Sequence, residues 1–255
     1  MRCPFSFLYL LLSLWGGTFL FADDVPVAPL TKISEPTWGE IYQLSSEGLT
    51  VWVSPATAGI VSLKFKGDDE MLEKPIQISA FSATAQTDPA PLWENRAWRT
   101  SEGRQVVMLT QNFGPPLSLR IVHLIELSAS GEQLRQTTRI TATGPGDPEL
   151  LAPQLHIALT PPDRILKKEQ LIFTQVQDLL CQWESRWEIE MPAQFLSNTL
   201  HYAPAEGHPN FTSTPEKSFS LPPQGWTMIH SILLDVSTLT TPDPQAIELW
   251  SHSEK

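Results

Sequence analysis

The stretch Leu117–Thr143, LSLRIVHLIELSASGEQLRQTTRITAT, decides the fold because two runs of alternating apolar and polar residues flank a short polar loop. With Ala129–Glu132 as a four-residue loop, the runs form a hairpin with these opposed pairs: Leu127 with Leu134, Ile121 with Ile140, Leu119 with Ala142 and, on the other face, Glu126 with Arg135. A slip of one residue would exchange the two faces and bury the arginines, so the register is well determined.

The same register assigns one histidine to the apolar face of the hairpin. His123 shares its side of the strand with leucines and isoleucines and lies opposite Thr138. A buried histidine satisfied by a neighbouring hydroxyl explains this position better than a ligand role does. We therefore predict a core histidine.

Short alternating runs separated by Pro or Gly continue along most of the chain, and its 23 prolines leave few windows for a helix of three turns. Further strands are predicted at 49–54, 61–65, Gln105–Gln111, Gln154–Ala158, Leu171–Val176, Arg186–Met191, Trp226–Val236 and Ala246–Trp250. A helical turn is expected only within Asp163–Leu180. So many strands in one domain predict an all-β fold, a large two-sheet β-sandwich over residues 38–255, because one open sheet would leave an apolar face wet.

The N-terminus has the pattern of a secretory signal peptide. Arg2 precedes 17 residues without a charged side chain, and Ala22 comes just before two acids. We expect cleavage after Ala22, an extended lead-in over residues 23–37, export to the periplasm or the extracellular space, and no stable membrane insertion after cleavage. The alternative is an uncleaved membrane anchor, since the apolar run is near the lower limit for spanning a bilayer.

Charge and cysteine content restrict the partners. The formal net charge of −11 disfavours nucleic acid, whose binding depends on Lys and Arg, and leaves neutral ligands such as sugars open. No metal-binding or phosphate-binding motif occurs, so no cofactor and no metal are expected. Without Cys3, Cys181 is the only cysteine and is predicted to be a small buried apolar residue. The sequence does not indicate an oligomeric state.

The densest mixture of aromatic and polar residues is Trp93–Trp98, WENRAW. Tryptophan faces stack on sugar rings while Arg, Asn and Glu bind hydroxyls, so Trp93, Arg96 and Trp98 are the first candidates for ligand binding. The alternative is that both indoles fill the core. Gln154 and His156 form a second candidate pair on one strand face, where they would either line a groove or point outward into solvent. A second cluster, 183–188, is expected to be an edge strand with exposed ion pairs.

A family resemblance adds to this interpretation. The segments 39–44, 48–55, 58–61 and 65–67, with the long hairpin and the tryptophan segment before it, resemble galactose-mutarotase-like proteins, the aldose 1-epimerase superfamily. The resemblance implies a β-supersandwich with a sugar groove on a concave sheet. It also implies His156 as general acid, with Glu248 and Asp235 as candidates for the base by position only. Ile157–Leu159 replace the aromatic residues that usually follow that histidine.

The leading hypothesis is therefore an exported carbohydrate-associated protein that binds sugar and is either non-catalytic or of unproven catalytic activity. One alternative is an aldose 1-epimerase that uses His156 as general acid with a distant carboxylate base, since mutarotation needs both groups within reach of one sugar. The other is a non-enzymatic structural or assembly protein of the cell envelope.

Overall fold

The fold was analysed in a computed structural model. It describes residues 26–65, 70–81, 93–115, 117–144, 151–160, 162, 164–168, 171–176, 179–189, 194–196, 198–205, 208–215 and 227–238. None of these residues is helical. Within the same ranges, no helix of the length and apolarity needed to cross a bilayer was found. The predicted signal peptide, the predicted strand Ala246–Trp250 and Glu248 lie outside the described residues.

Eighteen strands account for most of the described chain. In order they are β1 (Pro26–Pro29), β2 (Lys32–Glu35), β3 (Gly39–Ser45), β4 (Leu49–Ser54), β5 (Gly59–Phe65), β6 (Leu72–Phe81), β7 (Glu94–Thr100), β8 (Gln105–Phe113), β9 (Leu119–Leu127), β10 (Gln133–Ala142), β11 (Leu151–Leu159), β12 (Arg164–Lys168), β13 (Leu171–Val176), β14 (Leu179–Ile189), β15 (Gln194–Leu196), β16 (Asn198–Ala205), β17 (His208–Pro215) and β18 (Thr227–Thr238).

The strands form two antiparallel sheets. The ten-stranded sheet has the order β1-β7-β8-β9-β10-β18-β14-β13-β12, with β15 paired to β14. The eight-stranded sheet has the order β16-β17-β11-β6-β5-β4-β3-β2. One large cluster of buried side chains combines residues of both sheets. The predicted all-β, two-sheet sandwich is thus confirmed.

The hairpin that suggested this fold is formed by β9 and β10. Its register pairs Leu127 with Leu134, and the loop between the two strands begins at Ser128. All four pairs predicted from the alternation are present. Inward-facing positions are buried and the alternate positions are more exposed, so burial of one face and the short loop together fix the register.

The first two described strands are outer strands, one in each sheet. β1 is the outer strand of the ten-stranded sheet, and β2 is the outer strand of the eight-stranded sheet. Only Leu30 and Thr31 connect them, and the Leu30 amide donates to the Ala97 carbonyl over 3.0 Å. The first residues of the predicted lead-in that the structure describes are therefore paired strands.

Polar side chains connect the two sheets near these edges. The side-chain amide of Gln105 in β8 bonds to the backbone of Ser45. Its Nε2 donates to the Ser45 carbonyl over 2.7 Å, and its Oε1 accepts from the Ser45 backbone N–H over 3.2 Å. The Tyr42 hydroxyl donates to Asn95 Oδ1 over 2.8 Å. These bonds fix the position of β3 over β7 and β8, in addition to the apolar packing.

Two expectations for the second half of the chain are wrong. The described residues within Asp163–Leu180 belong to β12, β13 and β14, because Ile172 and Thr174 alternate inward into the core and no helical turn forms. The cluster at 183–188 is not an edge strand, since β14 lies between β13 and β18. Its period of two buries Trp183 and Trp187 on the inner face.

Candidate functional site

The tryptophan segment that was predicted to bind ligand is β7, and its alternation separates the candidate residues. Ala97 and Trp93 pack against the core between the sheets. Arg96 and Trp98 are on the opposite, outer side of the strand, where Arg96 is exposed and Trp98 is only 8% exposed. Of the three candidates, Arg96 is exposed, Trp93 is half-buried and Trp98 is buried.

Trp93 has its own partner inside the protein. Its ring lies 4.9 Å from the His123 ring, centroid to centroid, with the two planes tilted by 36°. The Trp93 carbonyl accepts from Asn95 Nδ2 over 3.0 Å. The Trp93 indole therefore fills space between the sheets. This agrees with the alternative interpretation, in which the tryptophans of this segment belong to the core.

The second candidate pair lies on the other sheet. Leu155 and Ile157 of β11 point into the core, so Gln154 and His156 are on the outer side of the eight-stranded sheet. His156 is exposed, and its Nδ1 lies 3.2 Å from Thr212 Oγ1. Because the outer sides of the two sheets are opposite surfaces of the sandwich, the structure does not bring His156 and Arg96 together.

The same reasoning applies to the candidate base. Leu234 of β18 packs into the core, so its neighbour Asp235 is directed away from it on the ten-stranded sheet. His156 is directed outward from the other sheet. Acid and base roles on one sugar ring require both groups within hydrogen-bond reach, and this pair lies on different sides of the sandwich.

A histidine–serine pair that sequence reasoning missed lies between the sheets. His230 Nε2 of β18 is 2.9 Å from Ser185 Oγ of β14. Ser185 Oγ is 2.7 Å from Ser213 Oγ of β17, and Ser213 Oγ also accepts from Trp187 Nε1 over 3.0 Å. A serine beside a histidine is the arrangement of a nucleophile and its base. Here all four side chains are buried, so the cluster joins the two sheets and offers no access for a substrate.

The pKa values agree with a structural role for the buried histidines. Burial lowers the pKa of His123 to about 4. Burial, together with the nearby His123 ring, lowers the pKa of His230 to about 3. His123 Nδ1 also lies 2.8 Å from Thr138 Oγ1, so the predicted core histidine is confirmed. Both rings are neutral at neutral pH and serve as hydrogen-bonding core residues.

Cys181 is a buried residue, as predicted. Its side chain is fully inaccessible, and burial raises the pKa of the thiol to about 12, with a hydrogen bond to Thr174 acting in the opposite direction. A thiol in this state is not a nucleophile at neutral pH. Among the residues that the structure describes, no three His, Cys, Asp or Glu side chains are grouped closely enough to hold a metal ion.

Among the described residues, a cleft of about 560 Å³ opens at one end of the sandwich and is here called the end cleft. The eight-stranded sheet contributes the β3–β4 turn and the end of β5, and the ten-stranded sheet contributes the β9–β10 loop, the start of β14 and the end of β18. Its lining residues are Glu47, Gly48, Phe65, Ser130, Gly131, Glu132, Gln133, Leu179, Asp235, Val236 and Ser237. Asp235, which was a candidate by position only, is among them.

Close contacts between loops shape the end cleft. Gly131 has a φ of 74°, and a Cβ added there would overlap the Ser46 side chain in the β3–β4 turn. The Val236 amide donates to the Glu132 carbonyl over 2.8 Å, which joins β18 to the same loop. The loop is therefore held from both sides, and glycine is required where it touches the facing sheet.

The end cleft combines three carboxylates, an amide and two hydroxyl groups with apolar side chains. Among the described residues that line it, none is Lys, Arg or His. Its volume is in the range of small-molecule sites, and its chemistry suits a ligand with many hydroxyl groups. The sequence does show Ser-Gly-Glu and Ser-Ser-Glu-Gly in two hairpin turns, but only the fold shows that these turns meet.

Comparison with known proteins gives a fold likeness and no family. No family model and no curated protein matches the sequence. A heparinase III structure matches at 7% identity with a TM-score of 0.53, over 82% of this chain and 36% of that one. A TPR-domain-containing protein from Parabacteroides distasonis matches at 14% identity with a TM-score of 0.51, over 87% of this chain and 54% of that one. This chain thus spans about a third and about half of these two proteins.

A mutarotase candidate from Salmonella typhimurium, named YeaD, matches at 8% identity with a TM-score of 0.48, over 83% of this chain and 97% of that one. At such identities, the likeness to the two structures with TM-scores above 0.5 concerns the fold alone.

Proposed function

We propose that this protein is an exported carbohydrate-associated protein that binds a neutral sugar in the end cleft, without catalysis of its own. The observation that carries the proposal is the composition of that cleft, where Glu47, Glu132 and Asp235 lie with Gln133 around an open volume of about 560 Å³. Carboxylate and amide groups accept and donate the hydrogen bonds that sugar hydroxyls offer, and apolar neighbours such as Phe65 cover C–H surface.

Charge favours neutral over anionic sugars. The chain has a formal net charge of −11, and the described residues that line the end cleft include three carboxylates and no cationic side chain. A uronate or sulfate group there would be close to like charges in a partly desolvated site. The ligand class is thus an uncharged mono- or oligosaccharide.

The fold supports the choice of ligand class to test first. Related sandwiches occur in a heparinase III and, at lower similarity, in a mutarotase candidate. The resemblance of residues 39–67 to galactose-mutarotase-like proteins suggests the same class. The aldose 1-epimerase alternative has less support, because His156 and Asp235 occupy different sides of the sandwich.

Binding to defined sugars tests the proposal. We expect a panel of neutral glycans, followed by titration calorimetry, to identify a ligand of the parent protein. Glu132→Gln and Asp235→Asn each remove a charged hydrogen-bond acceptor from the cleft and should weaken binding about tenfold or more. Glu94→Gln, an exposed carboxylate of β7 far from the cleft, is the matched control and should bind as the parent does.

Two results would contradict the proposal. One is a parent protein that binds no neutral glycan of the panel. The other is binding that survives both cleft substitutions and is lost in Arg96→Ala, which would move the site to the outer side of β7.

Export is the second part of the proposal and rests on the apolar run before Ala22. Secretion of the full chain from a bacterial host should give a mature protein whose first residue is Asp23. β1 begins at Pro26, so this cleavage leaves the first paired strand intact. A chain that keeps Met1 and sediments with membranes would instead support the uncleaved anchor.

A further inference from the structure

Three buried polar atoms between the sheets have no hydrogen-bond partner among the described residues. They are both amide atoms of Gln136, Nε2 and Oε1, and the Nδ1 atom of His230. Both side chains are completely inaccessible, at 0% exposure. Buried polar groups in folded proteins are nearly always satisfied, by protein or by ordered water.

The three atoms belong to one patch of the ten-stranded sheet. Thr138 of β10 lies directly opposite His230 of β18, and Gln136 is two residues from Thr138 on the same face. Gln136 is therefore the diagonal cross-strand neighbour of His230, at a spacing that long side chains and one bridging group can span.

The hydrogen-bond chain on the other side of His230 fixes which ring nitrogen holds the proton. Ser185 Oγ donates its only proton to Ser213 Oγ. His230 Nε2 must then donate to Ser185 Oγ, over 2.9 Å, so the proton is on Nε2. Nδ1 is left with a lone pair, and its partner has to be a donor.

A cavity of about 10 Å³ lies next to this chain. Six of its nine lining residues are apolar, among them Ile232, the direct cross-strand partner of Gln136, while Ser185 and Ser213 contribute hydroxyl groups. This volume is close to the minimum that one water molecule needs and is too small for a sugar or another organic ligand. The polar partners that a water would need are therefore the unpartnered atoms of Gln136 and His230 and not the wall of this cavity.

We infer that the sandwich binds ordered internal water at the inner face of β10 and β18, and that this water donates to His230 Nδ1 and bridges to the amide of Gln136. Water is neutral, and it can both donate and accept hydrogen bonds in one site. The three atoms require both, because His230 Nδ1 and Gln136 Oε1 need a donor and Gln136 Nε2 needs an acceptor. An ion would be unpaired there, because Gln136, Thr138 and His230 are all neutral. The water completes the chain that joins β18 to β14 and β17.

The parent protein gives the first test. NMR cross-relaxation between water and the ring protons of His230 should detect a long-lived internal water, and the ring nitrogen shifts should report a proton on Nε2. A crystal structure at high resolution should show the water within hydrogen-bond distance of Nδ1. If neither experiment detects a water at His230 Nδ1, or if the ring proton is on Nδ1, the inference is wrong.

Gln136→Met gives the second test, because Tm should fall if the patch holds water and rise if it is dry. If water bridges the amide, the substitution removes one of its partners, lowers Tm and shifts the His230 Nδ1 resonance. If the patch is dry, the substitution removes two unsatisfied atoms and raises Tm, which would refute the inference. Ile140→Val is the matched control on the same face of β10, where a lower Tm should leave the Nδ1 resonance unchanged.

Discussion

Acid should destabilise this protein through its two buried histidines, His123 and His230. In the unfolded chain both rings take up protons as the pH falls through 6.5, whereas the folded-state pKa values are about 4 and about 3. The unfolded state therefore binds more protons in this window, so the stabilisation is fully present above pH 6.5 and is lost as the pH falls toward the folded pKa values. Between about pH 6 and pH 5, each histidine should remove roughly 1 kcal/mol of stability, and the pair about 2 kcal/mol.

Urea unfolding followed by tryptophan fluorescence at a series of pH values measures this loss. The window above pH 5 lies above the ordinary range of carboxyl groups, so imidazole groups dominate the slope. His123→Asn and His230→Gln keep a neutral amide near each hydroxyl partner, and each should remove about half of the slope. The double variant should remove nearly all of it. A parent slope below about 0.5 kcal/mol per pH unit, or a double variant with the parent slope, would refute the reasoning.

Three further predictions concern single positions. Gly131→Ala should lower the free energy of unfolding by about 2 to 5 kcal/mol in chemical denaturation, because the new methyl group overlaps the facing turn and φ is positive. Gly39→Ala has a similar φ but open space around it, so it should lower the free energy of unfolding by only about 1 to 2 kcal/mol. Equal losses would contradict the close contact. The Cys181 thiol should resist alkylation in the native protein and react fully in denaturant, and rapid native labelling would mean that it is accessible. Gln105→Met should lose about 1 to 2 kcal/mol, since both of its bonds to the Ser45 backbone disappear, and an unchanged unfolding midpoint would show that water replaces them.

Local pattern was enough to predict the β9–β10 hairpin in detail. Its two runs are adjacent in sequence, the loop is short, and the inward positions other than His123, Gln136 and Thr138 are apolar. A slip would bury Arg135 and Arg139, so only one register is compatible with a buried face. The class of fold follows from the same information, because so many half-buried strands need a second sheet to cover them.

Strand neighbours that are distant in sequence could not be predicted. β10 pairs with β18 over nine residues, and β14 pairs with the other side of β18 over eleven. Nothing in the alternating charges of 183–188 shows that strands will cover both of its edges. The outward charges were correctly expected to form an ion pair, and Arg186 does lie 2.9 Å from Glu184. The inward tryptophans, which make this strand central, have the same period and were overlooked.

The candidate site shows the limit of composition as a guide. Trp93, Arg96 and Trp98 are close in sequence, yet a strand directs successive side chains to opposite faces, so proximity in sequence does not place them on one surface. The end cleft has the opposite property. Its residues come from five chain segments between Glu47 and Ser237, and only the packing of the two sheets brings them together.

The distribution of polar groups indicates why a ligand would bind at an end of the sandwich rather than on its inner faces. Between the sheets, His123 is hydrogen-bonded to Thr138 and His230 to Ser185, and both buried imidazoles are uncharged at neutral pH. Ser185 also bonds to Ser213, which connects the two sheets. At the end of the strands, Glu132 lies in a loop and Asp235 near a strand terminus, and both line the open end cleft. A sugar that entered the inner face would have to displace the contacts that hold the two sheets together. In the end cleft, it would displace only water.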